Sequence, residues 1–137
     1  MSVAIRYFTK SKKGNTVKLA KAVSEATGLE AVDVSRDLTE KVDRLFLINA
    51  MYAAQIDAEV KSFLKRNKDK IGEVVNFNTS YSGSSTLGAV KKAADPLGIR
   101  LSDDEFHCAA SWIFINKGLP SDADYAKAKE FARSMIH

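Results

Sequence analysis

Short apolar runs alternate along the chain with longer segments in which apolar residues recur every three or four positions. The runs occupy residues 3–8, 29–34, 45–48, 74–77 and 106–110. Such runs predict strands, and the longer spacing predicts helices between them. Strands that alternate with helices form parallel sheets through crossover connections. The pattern therefore predicts a doubly wound α/β fold, with five parallel strands in the order 2-1-3-4-5 and helices on both faces of the sheet.

The ends of two predicted helices carry recognisable signals. Residues 16–27 have helical spacing and are followed by Gly28, a residue type that commonly ends helices. Ser121 is predicted to cap the last helix, where Asp122 and Asp124 suit the positive end of the helix dipole. Helix boundaries at these two places are therefore expected from the sequence.

A fold of this kind predicts where a ligand binds. In doubly wound sheets, ligands lie outside the carboxyl ends of the strands, at the point where the strand order reverses. Here that point lies between the first and third strands. The loops that follow the first, third and fourth strands, at residues 9–16, 49–55 and 79–85, are therefore the candidate binding loops.

Composition and charge restrict the number of domains, the cellular location and the kinds of partner. The 137 residues are 45% apolar and fit one domain over residues 1–137. Cys108 is the single cysteine, which excludes an internal disulfide and suits a cytoplasmic location. No apolar run approaches the roughly 20 residues that cross a bilayer, so we expect no membrane span. The net charge of +4 comes without a basic stripe interleaved with aromatic residues, so we expect no nucleic-acid partner.

The first candidate loop has the chemistry of an anion site. It reads T-K-S-K-K-G-N-T and leads from a strand into a helix. Helix N-termini attract anions through unpaired N–H groups and the helix dipole. Ser11, Asn15 and Thr16 add polar side chains, and Gly14 allows close backbone approach. The alternative is that Asn15 or Thr16 only caps the helix.

The sequence around this loop resembles the flavodoxin family. The stretch I-R-Y-F-T-K-S-K-K-G-N-T-V-K-L-A resembles the flavodoxin phosphate loop, although the segment before G-N-T is longer than is usual there. M-Y-A-A-Q after the third strand and N-T-S-Y-S-G after the fourth resemble the family's other binding loops. The resemblance covers essentially the whole chain. It implies a flavodoxin-like fold and FMN bound without covalent attachment, with the phosphate against Ser11, Gly14, Asn15 and Thr16, and Thr9 as a further candidate.

The resemblance also assigns the two loops that would hold the flat flavin ring. Tyr81 is the candidate for stacking, because it follows the fourth strand in a loop of glycine and serine. Met51 and Tyr52 follow the third strand, and their alternative role is packing against the next helix. Thr79 and Gly83 are candidates for hydrogen bonds to the ring edge or the ribityl chain.

Three functions are compatible with these residues. The resemblance implies a soluble electron carrier that works with a redox partner protein, and the basic charge of this chain favours a partner with an acidic docking face. One alternative is an FMN-dependent reductase or oxidase of a small substrate such as a quinone. The other is a flavin-free binding or regulatory domain, which the lysine-rich first loop keeps open.

The remaining chemically active residues are assigned no catalytic or metal-binding role. Cys108 lies within the predicted fifth strand and is expected to be a buried structural thiol. His107 has no evident partner in the sequence, and His137 is the last residue. Two histidines and one cysteine do not make a metal site, so we expect none.

Overall fold

The computed structural model describes residues 1–10, 14–51, 55–111 and 117–136. Strands and helices lie along them in the regions where the apolar pattern predicts them. The strands are β1 Val3–Tyr7, β2 Ala31–Asp33, β3 Val42–Ala50, β4 Ile71–Ser80, β5 Arg100–Leu101 and β6 Phe106–Ala109. The α-helices are α1 Asn15–Thr27, α2 Ala58–Asn67, α3 Leu87–Ala94 and α4 Asp122–Met135.

The sheet is parallel and has the order β2-β1-β3-β4-β5, which confirms the predicted fold class. The described residues form six strands, one more than the expected five. β5 pairs with the start of β4, and β6 pairs in parallel with its end. Between them, Ser102 Oγ accepts a hydrogen bond from the N–H of Asp104, and this polar turn breaks the edge strand in two.

Each face of the sheet carries two helices and its own apolar core. α1 and α4 pack together over one face around Leu19, Val23 and Ala128. α2 and α3 cover the other face, which is filled by Val60, Phe63 and further apolar residues. β3 and β4 lie centrally and are buried on both faces, which explains their continuous apolar runs.

The helix ends follow the sequence signals. Gly28 adopts a left-handed conformation with φ +72°, and its N–H donates to the Ser24 carbonyl, so α1 ends where predicted. Ser121 caps α4, also as predicted. Within the described ranges, every helix is too short or too polar to cross a membrane.

Candidate functional site

A cavity of about 360 Å³ lies at the carboxyl ends of the strands. It opens where β1, β3, β4 and β6 end and α1 begins, which is the edge that the strand order predicts for a ligand. Its lining residues are Thr9, Lys10, Gly14, Asn15, Thr16, Ala50, Met51, Thr79, Ser80, Tyr81, Ala110 and Ser111.

Most of the residues predicted to bind the cofactor lie together around this cavity. Those that line it are Thr9, Gly14, Asn15, Thr16, Met51, Thr79 and Tyr81. Gly83 is not among the lining residues, although it belongs to the same loop as Tyr81. Ser11 and Tyr52 lie outside the described residues, as do Lys12 and Lys13.

The start of α1 borders this cavity, and its N-cap residue supplies no side-chain cap. Gly14 is the N-cap residue, with φ −77° and ψ 175°, and α1 has no acidic residue in its first turn. Asn15 and Thr16 are inside the first turn, so the interpretation that one of them caps the helix is wrong. The Asn15 amide instead donates to the Ser111 carbonyl over 3.5 Å. The first N–H groups of a helix lack acceptors within it, and an anion is a suitable partner for them.

Two buried hydroxyl groups join α1 to the end of β4. Thr16 Oγ1 and Thr79 Oγ1 lie 3.1 Å apart and form a hydrogen bond, in which either atom can be the donor. Both residues are almost fully buried. Since one hydroxyl donates and the other accepts, one O–H remains for a second acceptor. The pair holds the helix start against the strand end, where two of the candidate loops meet.

The loop after β4 is fixed by its own polar groups. Ser80 Oγ and Asn78 Nδ2 donate to the carbonyl of Ser84, over 2.9 Å and 3.0 Å. Ser82 Oγ donates to Ser84 Oγ over 2.8 Å. At the head of this constrained loop, Tyr81 is 49% exposed, and among the described residues Met1 is the only other large hydrophobic side chain that is exposed. An exposed aromatic ring on a fixed loop is suited to stacking against a flat ligand.

Gly83 and His107 join this loop to β6. Gly83 adopts φ +80°, a conformation that side chains other than glycine rarely take, and its N–H donates to the Ser80 carbonyl. His107 Nδ1 lies 2.7 Å from the Gly83 carbonyl, so the expectation that His107 has no partner is wrong. The contact requires the tautomer or charge state in which Nδ1 carries the proton. Gly83 therefore serves the shape of the loop, and its carbonyl already accepts a hydrogen bond.

A buried polar network joins β3 and β4 to the start of α3, and its members Asn49 and Asn78 are next in sequence to the cavity-lining Ala50 and Thr79. Asn49 Nδ2 donates to Asn76 Oδ1 over 2.8 Å, and Thr86 Oγ1 donates to Asn49 Oδ1 over 2.7 Å. Asn76 Nδ2 donates to Thr86 Oγ1, and the Thr86 N–H donates to Asn78 Oδ1. The network connects the end of β3 to the start of α3. It thereby ties together the loops that follow β3 and β4.

Sequence reasoning missed this network, although a signal was present. Asn49, Asn76 and Asn78 interrupt otherwise apolar strands, and all three are buried. A buried amide needs hydrogen-bond partners, so three of them on adjacent strands indicate a shared polar cluster. Their positions in the last part of each strand place the cluster near the carboxyl edge.

Among the described residues that line the cavity, Lys10 is the one with a charged side chain. Its Nζ lies 3.7 Å from the carboxylate of Asp57, which is the N-cap residue of α2 and accepts from the Glu59 N–H. Lys10 is largely exposed, so its field at the cavity is screened by water and salt.

Cys108 is buried as expected. Burial raises the pKa of its thiol to about 11, and the nearby carboxylate of Asp124 adds to the rise. The thiol therefore stays protonated near neutral pH and is a poor nucleophile. The described residues contain no cluster of histidine, cysteine, aspartate and glutamate that could hold a metal ion.

Comparison with known proteins identifies the architecture. No protein-family model matches the sequence, and a comparison with curated proteins found no match either. Solved structures do match over nearly the whole chain. A flavodoxin from the domain Archaea has a TM-score of 0.69 at 12% identity, covering 98% of this chain and 95% of that one.

Two further structures are similar to the same extent. The Fusobacterium nucleatum flavodoxin bound to flavin mononucleotide has a TM-score of 0.69 at 12% identity, covering 99% of this chain and 98% of that one. An NAD(P)H:quinone oxidoreductase from Methanothermobacter marburgensis has a TM-score of 0.67 at 13% identity, covering 98% and 96%. Together with the strand order 2-1-3-4-5 and the helices on both faces, these similarities show that the chain has the flavodoxin-like fold.

Proposed function

We propose that this protein binds FMN without covalent attachment in the cavity at the carboxyl ends of its strands. The observation that carries the proposal is the start of α1, which borders that cavity; its N-cap residue supplies no side-chain cap, and its first turn carries no acidic residue. A phosphate group satisfies unpaired N–H groups and gains from the helix dipole. The cavity volume of about 360 Å³ is within the range of small-molecule sites.

Each wall of the cavity has a proposed part in binding. Gly14, Asn15 and Thr16 hold the phosphate, chiefly through backbone N–H groups, with Ser11 and Thr9 as further contacts. Tyr81 stacks on the ring, and Met51 and Tyr52 close its other side. Thr79 keeps the β4 end against α1 through its hydrogen bond to Thr16. Gly83 is proposed to act on the ring only through the shape of its loop.

The proposed role is electron transfer. Bound FMN supplies reversible electron transfer, and the chain's own residues orient the ring and limit the access of water to it. We propose a cytoplasmic electron carrier with a redox partner whose docking face is acidic. A net charge of +4 supports such a partner, because opposite charges speed the encounter and disfavour basic partners.

A second candidate function is an FMN-dependent reductase of a small substrate such as a quinone. The similarity to the quinone oxidoreductase supports it, because that chain has nearly the same extent as this one. A reductase of this class oxidises NADH or NADPH steadily without a protein partner, whereas a carrier does not.

Purification followed by absorption spectroscopy tests the proposal. The protein is expected to be yellow, or to become yellow when FMN is added to the apoprotein, and to release FMN on denaturation. Addition of NADPH with a soluble quinone then separates the two functions, because rapid catalytic turnover identifies the reductase. A colourless protein that takes up no FMN would overturn the proposed function.

A further inference from the structure

The two faces of the sheet differ in how their helices meet. Over one face, α1 and α4 pack closely. Over the other face, α2 and α3 leave between them the α2–α3 groove, a cavity of about 690 Å³. The floor of this groove includes Ile56, Ala89 and Leu97, and its rim carries Lys61, Lys65 and Lys92.

The charge of the α2–α3 groove has a single sign. None of its lining residues is acidic, and within the described part of the chain the three rim lysines form no ion pair. The cavity between α1 and α4 differs, because Lys18 and Lys21 lie there beside Glu25 and Asp122. The α2–α3 groove therefore has an uncompensated positive rim around an apolar floor, which is complementary to an acidic amphipathic surface.

We propose that the α2–α3 groove is the docking surface for an acidic, amphipathic segment of a partner protein. Lys61 and Lys65 lie one turn apart on α2, about 6 Å along its axis, and Lys92 faces them from α3. The charges are thus spread along both walls rather than gathered at one point. A helical segment with repeated carboxylates beside an apolar stripe matches that distribution, and a helix in a groove is a common form of such recognition.

The position of the groove connects docking to the candidate site. Met51 lines both the α2–α3 groove and the cavity at the carboxyl ends of the strands. A partner in the groove would therefore lie next to the wall of the proposed FMN site. The redox role of the partner rests on the proposed function, but the docking surface itself rests on the groove and its lysines.

Peptide titration of the full-length protein tests this docking surface. The probe is a synthetic amphipathic helical peptide that carries leucine on one face and glutamate beside it. The comparison peptide has lysine in place of each glutamate. The glutamate peptide is expected to bind and to shift backbone NMR signals of α2 and α3. Its affinity is expected to fall as the salt concentration rises. Equal binding of the two peptides, or shifts confined to α1 and α4, would overturn the proposal.

Two triple variants sharpen the test. Lys61→Gln, Lys65→Gln and Lys92→Gln together are expected to weaken the glutamate peptide by about tenfold, since each exposed pair contributes modestly. The matched control, Lys21→Gln with Lys41→Gln and Lys127→Gln, removes the same charge from exposed positions that do not line the groove and is expected to change binding little. An equal loss in both variants would contradict the assignment to the groove. If dodecanoate filled the groove and excluded the peptide, the groove would be a site for small anions, and the docking proposal would be overturned.

The titration is carried out with and without FMN. A protein that binds FMN but not the glutamate peptide refutes the docking surface and leaves the proposed function intact. A protein that binds the peptide in the groove but takes up no FMN supports the docking surface and removes its redox role.

Discussion

The helices α1 and α4 pack side by side on one face of the sheet, yet their first turns are built differently. At α4, Ser121 Oγ accepts from the Asp124 N–H, and the Asp124 carboxylate accepts from the Ser121 N–H over 2.8 Å. At α1, the N-cap residue is Gly14, which has no side chain to accept a hydrogen bond. The first turn of α4 also carries two acidic residues, whereas that of α1 carries none.

The difference shows that the start of α4 is capped by its own side chains, whereas the N-cap residue of α1 supplies no such cap. A capping box satisfies N–H groups and typically stabilises a protein by about 1 kcal/mol. α4 has this stabilisation, and its negative charges complement the helix dipole. The N-cap residue and first turn of α1 supply neither contribution, and the start of α1 borders the cavity instead. We infer that the start of α1 is reserved for an external anion, whereas the start of α4 is purely structural.

Asn15→Asp is expected to have the largest effect on FMN affinity, because it gives α1 the acidic first turn that α4 has. Two like charges about 5 Å apart repel by about 3 kcal/mol at an effective dielectric of about 20, which is about a hundredfold in affinity. FMN affinity is therefore expected to fall by about that factor, while riboflavin affinity changes little. The same change should stabilise the apoprotein by about 0.5 kcal/mol through the helix dipole. Fluorescence titration and thermal unfolding measure the two effects.

The control for this variant is Asn15→Ser, which adds no charge. It should retain most of the preference for FMN over riboflavin. If Asn15→Asp bound FMN as well as the unmodified protein, the assignment of the phosphate to α1 would be wrong.

Thr86→Val tests the polar network that supports the loops after β3 and β4. It removes the donor to Asn49 Oδ1 and leaves that buried oxygen without this partner, which costs about 2 kcal/mol of folding stability. Because the network ties the loops after β3 and β4, FMN and riboflavin affinities should fall together, by several-fold. Urea unfolding and paired titrations check this, with Thr86→Ser as the control that keeps the hydroxyl. A selective loss of FMN binding would contradict the assignment of these loops to the ring.

Ser121→Ala removes the cap of α4 and is the structural counterpart of the α1 variants. The expected loss is about 1 kcal/mol in the free energy of unfolding, with no change in the ratio of FMN to riboflavin affinity. Urea unfolding gives the first quantity, and titration gives the second. A changed affinity ratio would show that the two helix starts are not separate in function.

Lys10→Gln is expected to have the smallest effect. Lys10 lines the cavity, but it is largely exposed and lies near Asp57, so its attraction for a phosphate is partly offset and screened. FMN affinity should fall by about twofold at low salt, which corresponds to about 0.4 kcal/mol. The difference from the unmodified protein should vanish at high salt. A large loss that persists in high salt would show that Lys10 contacts the ligand directly.

Much of the architecture could be predicted because periodicity and end signals agree. The apolar runs predict the central strands, and Gly28 and Ser121 mark helix ends that the structure confirms. The break between β5 and β6 could not be predicted from apolar spacing, because it depends on the Ser102 hydroxyl turning the chain toward Asp104. Propensity describes single segments, whereas this break is a tertiary feature of the sheet edge.

The candidate site was predicted in outline but not in its internal contacts. Strand order brings the loops at Asn15 and Tyr81 to one edge, so their convergence follows from topology. The bonds between Thr16 and Thr79 and between His107 and Gly83 join residues distant in sequence. No local pattern encodes such pairs, because they arise only when the strands are in register.

Phosphate binding at the start of α1 is tested most directly by the ratio of FMN to riboflavin affinity of the purified apoprotein at moderate salt. The two ligands share the ring and ribityl chain and differ in the phosphate that we place at the start of α1. FMN is expected to bind at least about a hundredfold more tightly than riboflavin, because charge-assisted hydrogen bonds to several N–H groups together contribute about 3 kcal/mol or more. Equal affinities would contradict this placement of the phosphate.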